Sequence, residues 1–107
     1  MKGTQLGEFE ELVLLTVGVF NGDAYGVIIK HKITETVGRK ITVSTVHTAL
    51  YRLEQKGFVK STYGGESDKR GGRRKRLYEI TAAGYRALDE ARHYREKLWN
   101  LLPDFNF

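Results

Sequence analysis

The chain contains no cysteine, one proline and one methionine in 107 residues. Without cysteine there is neither a disulfide framework nor a thiolate-ligated zinc site. A lone proline, with 40% hydrophobic and 29% charged residues, is the composition of an ordinary globular domain and excludes a disordered or fibrous chain. Long apolar runs are missing too. None approaches the roughly 20 residues that span a bilayer. The first residues, Met1-Lys2-Gly3-Thr4-Gln5-Leu6-Gly7, lack a secretory hydrophobic segment, so a cytoplasmic location without membrane contact is expected. A chain this short buries a modest core, and association with a second copy is a natural supplement.

Acid is absent where cations are densest. Lys69-Arg70-Gly71-Gly72-Arg73-Arg74-Lys75-Arg76 holds six cations in eight residues. The arginines present planar donor forks that match phosphate oxygens in pairs, and the glycines let the backbone reach conformations other residues avoid. The net charge is +5, unevenly spread: residues 1–38 hold three Lys or Arg against five Asp or Glu, and residues 39–107 hold fifteen against eight. A basic half of this kind suits a polyanion.

Periodicity orders the elements. From Glu8 to about Phe20, the residues Phe9, Leu12, Val13, Thr16, Val17 and Phe20 share one helical face, and the length of the segment favours helix over strand. Asp23 is read as the N-cap of a second helix reaching Val37, with Tyr25, Ile28, Ile29 and Ile33 inward and Gly38 as its stop. Arg39-Lys40-Ile41 has room for one or two strand residues. Thr42 then caps a third helix that stops at Gly57, with Val43, Val46, Ala49, Leu50 and Leu53 inward. Its outer face centres on Ser44, Thr48, Tyr51 and Gln55, with Thr45 and Arg52 on one margin and His47 and Glu54 on the other. Phe58–Tyr63 and Arg76–Ile80 read as strands of an antiparallel hairpin. The loop between them, Gly64 to Lys75, has four glycines and carries most of the cationic run. Thr81 caps a final helix from Ala82 to about Leu101, closed by Pro103.

This order predicts a mainly α fold with a small β-hairpin, a winged helix-turn-helix in which the hairpin loop is the wing. Residues 1–81 are expected to form the DNA-binding domain, and residues 82–107 a dimerisation helix with a short tail. In such folds the recognition helix enters the major groove and its N-terminal residues reach base edges. Those residues are Ser44, Thr45, His47, Thr48 and Tyr51, with Arg52 able to fork onto guanine or phosphate. The wing is expected to track phosphates through Arg73, Arg74, Lys75 and Arg76, with Lys69 and Arg70 nearer its tip.

The residues also resemble a known family. Ala24-Tyr25-Gly26-Val27-Ile28-Ile29-Lys30, the run from Ser44 to Val59, and Gly72 to Gly84 are similar in order and spacing to the PadR family of bacterial transcription regulators. The resemblance covers about residues 9–98. It implies a homodimeric DNA-binding protein, usually a repressor, whose last helix forms much of the dimer interface and which a small molecule releases from DNA. It also makes Tyr25 a candidate phosphate contact; the competing reading is a half-buried tyrosine beside Gly26. Members commonly carry tyrosine where this chain has His47. Only Pro103 to Phe107 follows the last helix, as in the short branch. The tryptophan of the multidrug-sensing branch corresponds to Arg95 here, with Trp99 one turn later.

On the last helix Leu88, Ala91, Arg95, Leu98 and Leu102 form a stripe, with Tyr94 and Trp99 beside it. Such a stripe could cover its own domain, but a twenty-residue helix spans about 30 Å, more than a small wing domain needs covered. A dimer interface of Leu88, Ala91, Arg95, Leu98, Trp99 and Leu102 is the expectation, with Arg95 facing an acid such as Glu96 or Asp89 of a second copy. A palindromic double-stranded operator follows from the twofold symmetry. Tyr94, Trp99 and Phe9 could line a site between subunits for a small planar aromatic effector.

No catalytic residue, metal or cofactor is expected. The glycine loop lacks Gly-Lys-Ser/Thr and leads into a strand. His31, His47 and His93 lie on separate helices without ligand spacing. A winged helix used for protein or RNA contact, without operator recognition, is the alternative.

Overall fold

A computed structural model describes residues 5–64 and 75–107, so Lys69, Arg70, Arg73 and Arg74 of the expected wing lie outside the described residues. The elements are α1 (Glu8–Val19), α2 (Gly26–Val37), α3 (Val43–Gln55), β1 (Val59–Tyr63), β2 (Arg76–Ile80) and α4 (Ala82–Trp99). β1 and β2 pair antiparallel, with Val59 opposite Ile80 at one end and Tyr63 opposite Arg76 at the other. Helices α2 and α3 form the helix-turn-helix and the hairpin is the wing. The expected mainly α fold with a small hairpin is the fold observed.

Val13, Leu14, Val17, Ala24, Ile29, Val46, Leu50 and Leu53 are fully buried where α1, α2 and α3 meet. Each large aliphatic among them stabilises the fold by about 1.5–3 kcal/mol relative to exposure. Leu14 lies off the single stripe expected for α1. The helix touches α2, α3, α4 and β2, so it is covered on two sides.

Two junctions place α3. Gly38 ends α2 at φ 70° and Gly57 follows α3 at φ 79°, the left-handed region where a side chain is disfavoured. Between them Thr42 caps α3 as expected, its hydroxyl accepting the Thr45 N–H at 3.1 Å. Among the described residues, two expectations for this region fail. The N-cap of α2 is Tyr25, not Asp23. Residues 39–41 form no strand. One observation explains the delayed start of α2: Ala24 forms an isolated antiparallel bridge to Tyr78. The Tyr78 N–H donates to Ala24 O at 2.8 Å and the Gly22 N–H to Tyr78 O at 3.0 Å. That pairing keeps the chain extended to Tyr25.

The expected face of α1 also omitted Glu10, which is 8% exposed. Its carboxylate accepts the Lys56 Nζ at 2.7 Å and the Gly7 N–H at 3.0 Å, tying the start of α1 to the end of α3. Burial pushes the Glu10 carboxyl up, but the hydrogen bonds from Lys56 and Gly7 and the nearby cations outweigh it and hold it below its ordinary value of 4.5. With the folded value depressed, the stabilisation is present above pH 4.5 and is lost as the pH falls below it. Glu10→Gln is therefore expected to cost about 2 kcal/mol at pH 7 and much less near pH 3. Urea titrations of both proteins at the two pH values measure this; an equal loss at both would remove the ion pair as its cause.

Helix α4 leaves the body. Thr81 caps it, accepting the Gly84 N–H at 3.0 Å and donating to Gly57 O at 2.7 Å. Ala83, Ala87 and Leu88 pack on the core, whereas Leu98 is 67% and Trp99 71% exposed. The radius of gyration of 16.1 Å exceeds the ~13 Å of a compact chain this size, as a projecting helix requires. No helix among the described residues is long and apolar enough to cross a membrane.

Candidate nucleic-acid interface

The α3 residues chosen for base contact all face outward. Ser44, Thr45, His47, Thr48, Tyr51 and Arg52 are exposed, while Val46, Ala49, Leu50 and Leu53 are buried on the opposite side. The amphipathic spacing of the helix dictates this division. Two hydroxyls lie against the helix backbone: Thr45 Oγ1 donates to Thr42 O at 2.9 Å and Thr48 Oγ1 to Ser44 O at 3.2 Å. Tyr51 OH accepts from Gln55 Nε2 at 3.2 Å. Glu54 is the one acid of α3.

Three expected contact residues from three elements meet at the start of α2. Tyr25 is its N-cap, and no side chain caps the helix. The His47 ring of α3 lies over Gly26, so close that an added Cβ would stand 2.5 Å from Nε2. Lys75, at the foot of β2, places Nζ 4.3 Å from the centre of the Tyr25 ring. The first turn of α2 has no acid. Free N–H groups, the positive end of the helix dipole and an adjacent ammonium together suit a phosphate oxygen.

Arg76 is placed differently. Its guanidinium bonds Glu54 and Ser61, contacts no periodicity could reveal. Other cations are likewise paired: Arg39 with Glu8 at 2.8 Å and Lys60 with Glu79 at 3.3 Å. The Glu8 carboxyl is held below its ordinary range chiefly by its hydrogen bond from Arg39.

On α4 the expected seam divides. Leu88 packs on its own core and Ala91 is half-buried, while Leu98, Trp99 and Leu102 are exposed. Arg95 meets an acid of its own chain, Glu11 of α1, at 2.6 Å. That pair lies in a groove of about 490 Å³ between α1 and α4, lined also by Leu15, Tyr85, Leu88 and Trp99. Tyr94 faces a different groove and Phe9 a third, beside α3. One chain therefore does not gather the three aromatics. Among the described residues, no three of His, Asp and Glu converge as metal ligands.

With this geometry in place, the sequence matches the transcriptional regulator PadR-like family over residues 14–90. The chain belongs to that family. No curated protein sequence matches it, but solved structures do. A PadR-like transcription factor from Bacteroides fragilis aligns with a TM-score of 0.73 at 20% identity, over 86% of this chain and 84% of that one. A transcriptional regulator from Clostridium thermocellum aligns at 0.68 and 28% identity, over 89% and 92%. Bacillus subtilis PadR in complex with operator DNA aligns at 0.65 and 17% identity, over 94% of this chain and 50% of that one. In this PadR-like chain the matched segment includes the whole helix-turn-helix, both hairpin strands and the first half of α4.

Proposed function

We propose that the chain is a sequence-specific DNA-binding transcriptional regulator, acting in the cytoplasm as a homodimer on a palindromic operator. One observation carries the reading: the exposed face of α3, whose only acid is tied to the hairpin, lies beside the strand that leads out of the cationic run. A recognition helix and a wing together need both features. The operator complex of the Bacillus subtilis relative supports the same use of the fold. Tyr25, His47 and Lys75 supply a phosphate clamp at the start of α2. Arg73 and Arg74, with Lys69 and Arg70 nearer the tip, extend it along the backbone.

Dimerisation is proposed through α4 and the residues just after it, where Leu98, Trp99, Leu101 and Leu102 are all at least half exposed. Solvated apolar residues in this number mark an interaction surface. A repressor role with release by a small molecule completes the proposal, resting on the family alone.

Selection of bound duplexes from a random pool tests recognition and symmetry together, and an inverted repeat is the expected product. Titrating that duplex at several salt concentrations is expected to give a log–log slope steeper than about −4, since each neutralised phosphate contributes roughly −0.9. A flat response rejects the wing. Equal binding of duplex RNA points instead to a module that does not use the B-form major groove.

A further inference from the structure

The far end of the hairpin is fastened to the recognition helix by a closed ring of three hydrogen bonds. Arg76 Nη2 donates to Glu54 Oε1 at 3.0 Å and Arg76 Nε donates to Ser61 Oγ at 3.1 Å. Ser61 Oγ donates in turn to Glu54 Oε2 at 3.0 Å. The guanidinium also stands 5.7 Å from the ring centres of both Tyr63 and Tyr78. Tyr63 and Arg76 are opposed in the register, and Ser61 opposes Tyr78. All four residues therefore share one face of the ribbon.

We propose that Glu54, Ser61 and Arg76 form a latch that fixes the angle between wing and recognition helix, with Arg76 a positioning residue and not a phosphate contact. The inference rests on the DNA-binding reading above. Its logic is mechanical and electrostatic. A two-stranded ribbon is marginally stable alone and twists freely. Its near end is held, because Phe58 and Val59 are buried and Phe58 O accepts the Thr81 N–H at 3.0 Å. Tyr78 is held by Ala24, and Lys75 lies over Tyr25. Arg76, at the last rung, is where the hairpin is tied to α3 itself, and that tie sets the angle between them. An acid beside a polyanion is unfavourable by itself. Glu54 is the only acid on α3, and the guanidinium neutralises it while using it as the anchor.

The test uses opposite signs. Removing an acid from a DNA-facing surface tightens binding if charge alone matters. The latch predicts instead that Glu54→Ala weakens binding of the selected duplex, by about threefold per copy and about tenfold in a dimer. Arg76→Lys keeps the charge but cannot reproduce the two-nitrogen fork. It is expected to weaken binding as much as Arg76→Met, with the salt slope unchanged in both. Hydrogen exchange of the β1 and β2 amides, measured without DNA, is expected to accelerate in all three variants.

Equal or tighter binding by Glu54→Ala overturns the latch. So does an Arg76→Met slope shallower by about 0.9 per subunit with Arg76→Lys near wild type, which identifies a phosphate contact. Unchanged hairpin exchange overturns it as well. A wild-type chain that binds no duplex sinks the DNA reading and the positioning role with it, whereas the exchange experiment still reports whether the tie exists.

Discussion

Gly84→Ala is expected to destabilise the fold by about 3 kcal/mol and to lower the melting temperature by about 12 °C. Gly84 is the one buried residue of α4. A Cβ there would stand 2.2 Å from Phe58 O and 3.0 Å from Ile80 Cγ1. The oxygen is backbone and cannot swing aside. It accepts the Thr81 N–H at 3.0 Å, and Phe58 itself is 5% exposed. Relief would require the start of α4 to lift from Phe58, which strains the Thr81 bond to Gly57 O. Thr81→Ala, which loses the cap without a clash, is expected to cost about 1 kcal/mol. Calorimetry on the three proteins orders the effects. A Gly84→Ala protein melting with wild type would mean that α4 does not sit on the Phe58 carbonyl.

Gly26 is crowded by a different kind of group. There the obstructing group is the end of the His47 side chain, at 2.5 Å, and a rotamer change can make room. Gly26→Ala should therefore disturb the cluster of Tyr25, His47 and Lys75 more than the fold.

Much of this architecture was legible in the sequence, for reasons that differ by element. In α3 the three- and four-residue spacing of Val46, Ala49, Leu50 and Leu53 separates a buried face from a polar one, and Thr42 is a capping side chain at the right place. The hairpin strands were legible from their aromatic and β-branched residues. What escaped depends on contacts between distant segments. Asp23 is a good local cap, but the pairing of Ala24 with Tyr78 prevails over it, and no pattern within residues 21–26 announces a partner in the hairpin. Leu14 was hidden because a single stripe assumes one covered side. Glu10 and Lys56 are 46 positions apart, so an acid in a helical register reads as solvated. The sequence groups Lys75 with Arg76 as wing cations of one kind. Structure separates Lys75, which lies over Tyr25, from Arg76, which Glu54 holds.

Ser44→Glu is expected to separate binding from stability in a single substitution. Ser44 is exposed and sits in the first turn of α3, where no acid is present. A carboxylate there faces the positive end of the helix dipole and should stabilise the fold by about 0.5 kcal/mol. The same carboxylate would enter the major groove among base edges and phosphates. Like charges brought together at an interface cost several kcal/mol, so duplex affinity should fall by about 100-fold or more. The melting temperature and the dissociation constant should therefore move in opposite senses. A substitution that unfolds the helix would lower both stability and affinity, and one on a surface remote from DNA would change affinity little. Parallel thermal melts and anisotropy titrations on the selected duplex distinguish the three. Unaltered affinity in a well-folded Ser44→Glu protein would remove the N-terminal turn of α3 from the groove, and with it the assignment of α3 as the recognition helix.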